Sequence, residues 1–169
     1  MLVFILPVGR WDLKTLVSSG EAKEFLRFKD QFHESIIDLM KGKFTTEGVP
    51  VTQFISVVDL DQLSFRQVTP SVLEMLRDDL SRFESNFPER LKINIIINAP
   101  WFLTTAMNFI RPFTSAKTLD KFKIFGSDRT VWIPELKALV SEKDLPVRYG
   151  GQNKTSRLNT MDTKEEQGN

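Results

Sequence analysis

The stretch INIIINAPWFLTTAMNFI, residues 93–110, decides the fold of this 169-residue chain. It is the longest run without a charged side chain, and it reaches the length at which a membrane span has to be considered. Composition argues against a span: Asn94, Asn98, Pro100, Thr104, Thr105 and Asn108 interrupt it, and Pro100 divides a β-branched half from an aromatic half of different period. The run reads as a strand over 93–97 and a helix over 101–111, which Pro112 ends. That helix carries Trp101, Phe102, Leu103, Ala106, Met107, Phe109 and Ile110 and has almost no polar side. A helix apolar nearly all round is buried in a core, covers an apolar cavity or meets a membrane. Since it follows the carboxyl end of a strand, where ligands sit in open α/β sheets, a lid over a crevice stands beside the core-helix reading.

Working outward, the same alternation of strand and helix recurs. Leu2 to Leu6 is a short apolar run ended by Pro7 and Gly9, which suits a buried strand. Over 19–43, Phe25, Phe28, Phe32, Ile36 and Met40 recur at steps of three and four, an amphipathic helix closed by Gly42. Val49 to Val58 is charge-free and β-branched and reads as a strand buried on both faces. Thr69 and Pro70 supply an N-cap and a first-turn proline to a helix that buries Leu73, Leu76, Leu80, Phe83 and Phe87. A helical turn over 115–120, a strand over 122–125 and a helix over 134–141 complete the series. This alternation predicts an α/β layer fold with a largely parallel sheet and crossover helices. From Gln152 onward only Leu158 and Met161 are clearly apolar, so residues 152–169 read as a disordered polar tail. No internal repeat and no second domain is visible.

Composition narrows the function classes. With 23 Lys and Arg against 22 Asp and Glu, the net charge of +1 gives no electrostatic case for nucleic acid. The absence of Cys and the presence of one His, His33, exclude thiolate metal sites, thiol catalysis and every motif that needs two imidazoles. The eight glycines never space as GxGxxG, Gly42-Lys43 is followed by Phe44 rather than Ser or Thr, and there is no GxSxG elbow. His33 lies within the first amphipathic helix and reads as a packed or solvated residue rather than a triad base. Asp59 and Asp61 could bind a divalent cation, but capping the turn after the strand is the simpler role. The chain therefore reads as a non-enzyme without metal or cofactor. Its unusual feature is 14 Phe against one Tyr and 3 Trp, which asks for an apolar interior, an apolar cavity or a surface that meets lipid.

Several phrases are specific in combination and in order: Asn86-Phe-Pro-Glu-Arg-Leu-Lys92, Ile95-Ile-Ile-Asn-Ala-Pro-Trp101, Ile110-Arg-Pro-Phe113, Thr118-Leu-Asp-Lys121 and Leu145-Pro-Val-Arg-Tyr-Gly-Gly151. Together they resemble the Sec14-like lipid-transfer family, the CRAL-TRIO domain. The opening Pro7-Val-Gly-Arg-Trp-Asp12 resembles metazoan Sec14-like proteins, including those that carry a GOLD domain. The resemblance covers Leu2 to Gly151. It implies a CRAL-TRIO lipid-binding domain over residues 1–151: a mixed, largely parallel sheet flanked by helices around an apolar pocket. It also implies a helical subdomain before the first strand, so a chain that opens at that strand reads as the lipid-binding lobe of a longer protein.

By the same resemblance, the helix with Trp101, Phe102, Met107, Phe109 and Ile110 belongs to a gate that opens at the membrane. The positions that meet inositol phosphate in phosphatidylinositol-transferring members are Glu89, Thr118 and Lys121. The strand that supplies a phosphatidylcholine headgroup site has Ser56 at one hydroxyl position and Phe54 at the other, which points to a more apolar pocket. The implied function is non-enzymatic binding and transfer of a phospholipid between membranes, with phosphatidylinositol as the first ligand. The alternative is a carrier or sensor of another hydrophobe, such as a tocopherol or retinoid. The expected partners are that lipid and, transiently, a membrane surface; the expected location is cytoplasmic and peripherally membrane-associated.

Overall fold

The computed structural model describes residues 2–160. Four strands, β1 (Leu2–Leu6), β2 (Phe54–Asp59), β3 (Leu91–Ile97) and β4 (Phe122–Ile124), lie in chain order in one sheet. Every neighbouring pair is parallel, so the sheet expected to be mixed is wholly parallel among the described residues. Between the strands run α1 (Leu13–Ser18), α2 (Ala22–Met40), α3 (Pro70–Asn86), α4 (Leu103–Ile110) and α5 (Ala116–Leu119). Each crossover steps in the same direction along the sheet, and right-handed crossovers then lay these helices on one face.

The strands sort their side chains by that face. Along β2, Phe54, Ser56 and Val58 point toward the helices, while Ile55, Val57 and Asp59 point away and are at most 1% exposed. Phe54 pairs with Leu91 but Ile55 with Ile93, so Lys92 is an extra residue in the register. This irregularity brings Leu91 and Asn94, three apart in sequence, onto the helical face with Ile96.

Several boundaries differ from the sequence reading for identifiable reasons. Residues 49–53 do not join β2, because Pro50 bridges Phe44, Thr45 N–H donates to the Val49 carbonyl and Val51 N–H to that of Lys43. Those local bonds take up the backbone groups a strand would offer. The helix expected over 19–43 is α2, which begins at Ala22 just after Gly20 takes φ +84, and α1 on the other side of that glycine is a short helix that the apolar period does not announce. In α2 the buried positions are Lys29, His33, Ile36 and Met40, and Phe28 is 56% exposed. The inward face is thus rotated from the apolar stripe, since Asp79 on α3 supplies Lys29 with a partner. Thr69 caps α3 as expected, its hydroxyl accepting from Val72 N–H, but the most buried side chains there are Val72 and Met75.

At the exit of β1, Gly9 lies against the backbone of Leu60 and Asp61, where an added Cβ would overlap their main-chain atoms. Gly9→Ala is expected to cost about 3 kcal/mol, read as a lower urea midpoint at unchanged slope, because rigid backbone cannot yield as a side chain can.

The described residues fall into two compact units, one ending at Ser127 and the next beginning at Asp128, where the sequence reading joins residues 1–151. In the second unit α6 (Arg129–Leu139) starts five residues before the expected Pro134, because Asp128 caps it by accepting from Thr130 N–H. Trp132 packs there against Tyr149 at 6.4 Å. The tail expected to be disordered is structured in its first part: Asn153 bridges Pro146, and its carbonyl accepts from Asn159 Nδ2 at 2.7 Å. Its remainder, residues 161–169, lies outside the described residues.

Candidate functional site

The structure gathers the expected site residues into two adjoining spaces within the first unit. Glu89, Thr118 and Lys121 line a polar recess of about 270 Å³, whereas Phe54 and Ser56 line an apolar cavity of about 250 Å³. Phe83 and Leu91 belong to both linings. A polar chamber and an apolar one therefore share a wall.

The recess is built from the turn before β3 and from α5. Phe87 buries itself below the turn, and Glu89 follows in the left-handed region at φ 60. A non-glycine residue held there needs external support. Gln53 Nε2 supplies it by donating to the Glu89 carbonyl at 3.0 Å, and Phe54 N–H by donating to the Arg90 carbonyl at 2.9 Å. The Glu89 carboxylate meets Lys117 Nζ at 2.8 Å and Lys121 Nζ at 3.6 Å. The hydrogen bond from Lys117 holds its carboxyl below the usual carboxylate range, with both ammonium charges adding to the effect. Lys117 was not read from the sequence; its helical spacing of four from Lys121 is the signal that could have found it.

Ser115 caps α5, its hydroxyl accepting from Thr118 N–H at 3.2 Å and lying 3.0 Å from Thr118 Oγ1. Glu84 on α3 accepts from Ser115 N–H at 3.2 Å, which ties α5 to α3. Two ammonium groups and the Thr118 hydroxyl thus line one recess, a donor set suited to a phosphate or a polyol.

The cavity lies between the helical face of the sheet and α2, α3 and α4. From α4 come Leu103, Met107 and Ile110, at the i, i+4, i+7 spacing of one helical face. The other members of the expected gate lie elsewhere: Phe109 is 38% exposed, Phe102 is the buried N-cap, and Trp101 precedes the helix at 84% exposure, stacked on Phe65. Pro112 does not stop the helix abruptly but carries it into a 3₁₀ turn over Arg111–Phe113.

The cavity also holds polar side chains that hydrophobic periodicity cannot reveal. Lys29 on α2 and Asp79 on α3 form an ion pair at 3.5 Å, and burial pushes the Asp79 carboxyl above its ordinary value against the pull of Lys29. His33, one turn after Lys29, packs with its ring 4.8 Å from that of Phe83 and 5.4 Å from that of Phe87. Burial lowers its pKa to about 4, and the nearby Lys29 charge adds to the shift. His33 is thus a packed residue rather than a solvated one. Asp59 serves its turn: its carboxylate accepts from Asp61 N–H at 3.0 Å and from Asn98 Nδ2 at 2.7 Å.

The His33 environment makes a pH prediction. The unfolded imidazole binds a proton below about pH 6.5 while the folded one stays neutral down to about 4, so stability falls as pH drops through that window. Between pH 7 and pH 5 the wild type is expected to lose about 2 kcal/mol relative to His33→Leu. Urea midpoints of the two proteins at both pH values check it, and parallel shifts would contradict it.

Residues 1–151 match the family described as CRAL/TRIO domain. "Protein real-time" of Aedes aegypti is 29% identical over 151 residues, covering 88% of this chain and 23% of that protein. Patellin-6 of Arabidopsis thaliana is 28% identical over 128 residues, covering 76% of this chain and 29% of that protein. The crystal structure of Sfh5 shares the fold at a TM-score of 0.72 with 18% identity, covering 94% of this chain and 53% of that one. The chain spans less than a third of the length of these two curated relatives.

Proposed function

Because the chain belongs to the CRAL/TRIO domain family, we propose that it binds one hydrophobic lipid without catalysis and transfers it between membranes, with phosphatidylinositol as the first ligand. The observation that carries this reading is the shared wall. An inositol phosphate would sit in the recess of Lys117, Lys121, Thr118 and Glu89, and its acyl chains would pass Phe83 and Leu91 into the cavity. Lys117 and Lys121 would meet the phosphate, Thr118 would donate a hydroxyl, and Glu89 would accept from inositol hydroxyls while holding both lysines. Burying each methylene contributes about 0.8 kcal/mol, so the chains need no polar chemistry of their own.

The helix α4 is the natural door in this reading. Its residues 103–110 include no fully buried side chain, and three of them face the cavity. Swinging it outward would open the lipid path at a membrane surface and widen the cavity. Trp101 and Phe65, exposed at 84% and 62%, would then meet the interface, where aromatic rings settle. Among the described residues no helix is long and apolar enough to cross a membrane, which fits a peripheral, transient contact at the cytoplasmic side.

One observation favours the second reading, a carrier of a compact hydrophobe such as a tocopherol or retinoid. At about 250 Å³ the cavity lies below the ~300–1,000 Å³ usual for small-molecule sites, so two acyl chains require it to widen. Extraction of the purified protein and mass spectrometry of the extract separate the two. Phosphatidylinositol at about one per chain is the expected result; a single-chain or ring hydrophobe supports the second reading, and no lipid by native mass spectrometry overturns both.

A further inference from the structure

The cavity contains a hydrogen-bonding atom that neither reading uses. Asn94 sits in the middle of β3, directly across from Ser56 on β2 and Phe122 on β4, with its side chain on the cavity face. Its backbone N–H donates to the Lys121 carbonyl at 2.8 Å. Its side-chain oxygen Oδ1 is buried, and no donor reaches it among the described residues. Asparagine is disfavoured in strands, and a buried carbonyl oxygen without a donor keeps its full desolvation penalty. An apolar residue would fill this place at lower cost if the cavity received only hydrocarbon.

The neighbouring polar groups do not answer Asn94. Lys29 is engaged by Asp79, and His33 is set among phenylalanine rings. The missing group has to be a donor. Ester carbonyls, ethers and carboxylates only accept, which leaves Oδ1 unanswered. An ammonium would have to lose its water in an apolar cavity, at a cost one amide oxygen does not offset. A neutral hydroxyl satisfies the oxygen and carries no charge.

We propose that Asn94 is a specificity residue of the cavity, whose Oδ1 accepts a hydrogen bond from the hydroxyl of a compact, neutral lipid alcohol. This inference rests on the second reading, a carrier of a compact hydrophobe, and narrows it to hydrophobes that bring a hydroxyl into the cavity itself. It is independent of the headgroup recess, which lies across Phe83 and Leu91 and does not include Asn94.

The test uses the delipidated full chain and a matched pair of ligands, 1-dodecanol and its methyl ether, competed against a fluorescent hydrophobe. The ether lacks the donor and carries one extra methyl group, whose burial alone would favour the ether. The wild type is expected to bind the alcohol about tenfold more tightly than the ether, and Asn94→Leu to bind both within twofold of each other. Equal affinity of the wild type for both ligands would overturn the inference and leave lipid binding standing, with Asn94 assigned to a resident water. Binding of neither would overturn the reading as a carrier of a compact hydrophobe and this inference with it. Should Asn94→Leu not fold, the alcohol-to-ether ratio of the wild type alone decides. A shift of the Asn94 side-chain amide signals in the nitrogen-correlated NMR spectrum, seen with alcohol and not with ether, then locates the contact.

Discussion

Asp79→Ala is expected to destabilise the protein by about 3–5 kcal/mol, the usual cost of leaving one partner of a buried ion pair alone. The Lys29 and Asp79 side chains are 10% and 20% exposed, so solvent screens the stranded ammonium poorly. Its surroundings cannot replace Asp79: Asp30 is committed to Arg82, and His33 is neutral near pH 7. The double replacement Lys29→Met with Asp79→Leu is expected to recover nearly all of the loss. The raised carboxyl pKa of Asp79 shows burial outweighing attraction, so the pair contributes little beyond what apolar side chains of similar volume would. Urea unfolding of both variants at one pH checks this, and a double variant as unstable as Asp79→Ala would refute it.

The second large effect concerns the recess. Lys121→Ala is expected to lower phosphatidylinositol transfer between vesicles about tenfold, since a charge-assisted hydrogen bond contributes roughly 1.5–3 kcal/mol when partly sheltered. The Lys121 side chain is 18% exposed, whereas that of Lys117 is 70% exposed and screened by salt. Adding Lys117→Ala is therefore expected to take away only a further two- to threefold. Transfer of an uncharged fluorescent hydrophobe should be unchanged in both variants, because neither lysine lines the apolar cavity. An equal fall for the charged and uncharged cargoes would mean that the lysines support the fold rather than the headgroup. Glu89→Ala offers a contrasting case: it frees both ammonium groups and removes the acceptor, so transfer of phosphatidylinositol should fall while that of a simple anionic lipid is kept.

How much was legible follows from what each residue needs. Strand β1 could be read to the residue, though it is half-buried where a buried strand is expected, and β3 nearly so, because parallel strands with apolar faces show as continuous apolar runs. Thr69-Pro70 and Ser115 mark helix starts by chemistry that acts within one turn. Helix α1 escapes because six residues are too few for an apolar period, and the loop over 44–51 because it depends on hydrogen bonds between residues that hydrophobic period does not describe. Glu89, Thr118 and Lys121 were found through a resemblance, not a spacing, and their meeting around one recess is a finding of the structure. Lys29, Asp79 and Asn94 escaped notice because a periodic reading assigns charged and amide side chains to solvent.

The chain alone therefore settled the order of its four strands and of the helices from α2 onward, the division at Pro100 and the absence of the motifs on which phosphate-loop, triad and thiol enzymes depend. These are local matters, decided by φ restriction, caps and apolar period within a few residues. Which way α2 turns its faces, and that an ion pair, a histidine and an asparagine share the inside of a phenylalanine-lined cavity, were decided only in three dimensions. A charge can be buried where a partner from another element arrives, and Lys29 and Asp79 are 50 positions apart. The stretch 93–110 shows both sides: its period announces a strand and a helix, while only packing puts Asn94 and Met107 on the wall of the same cavity.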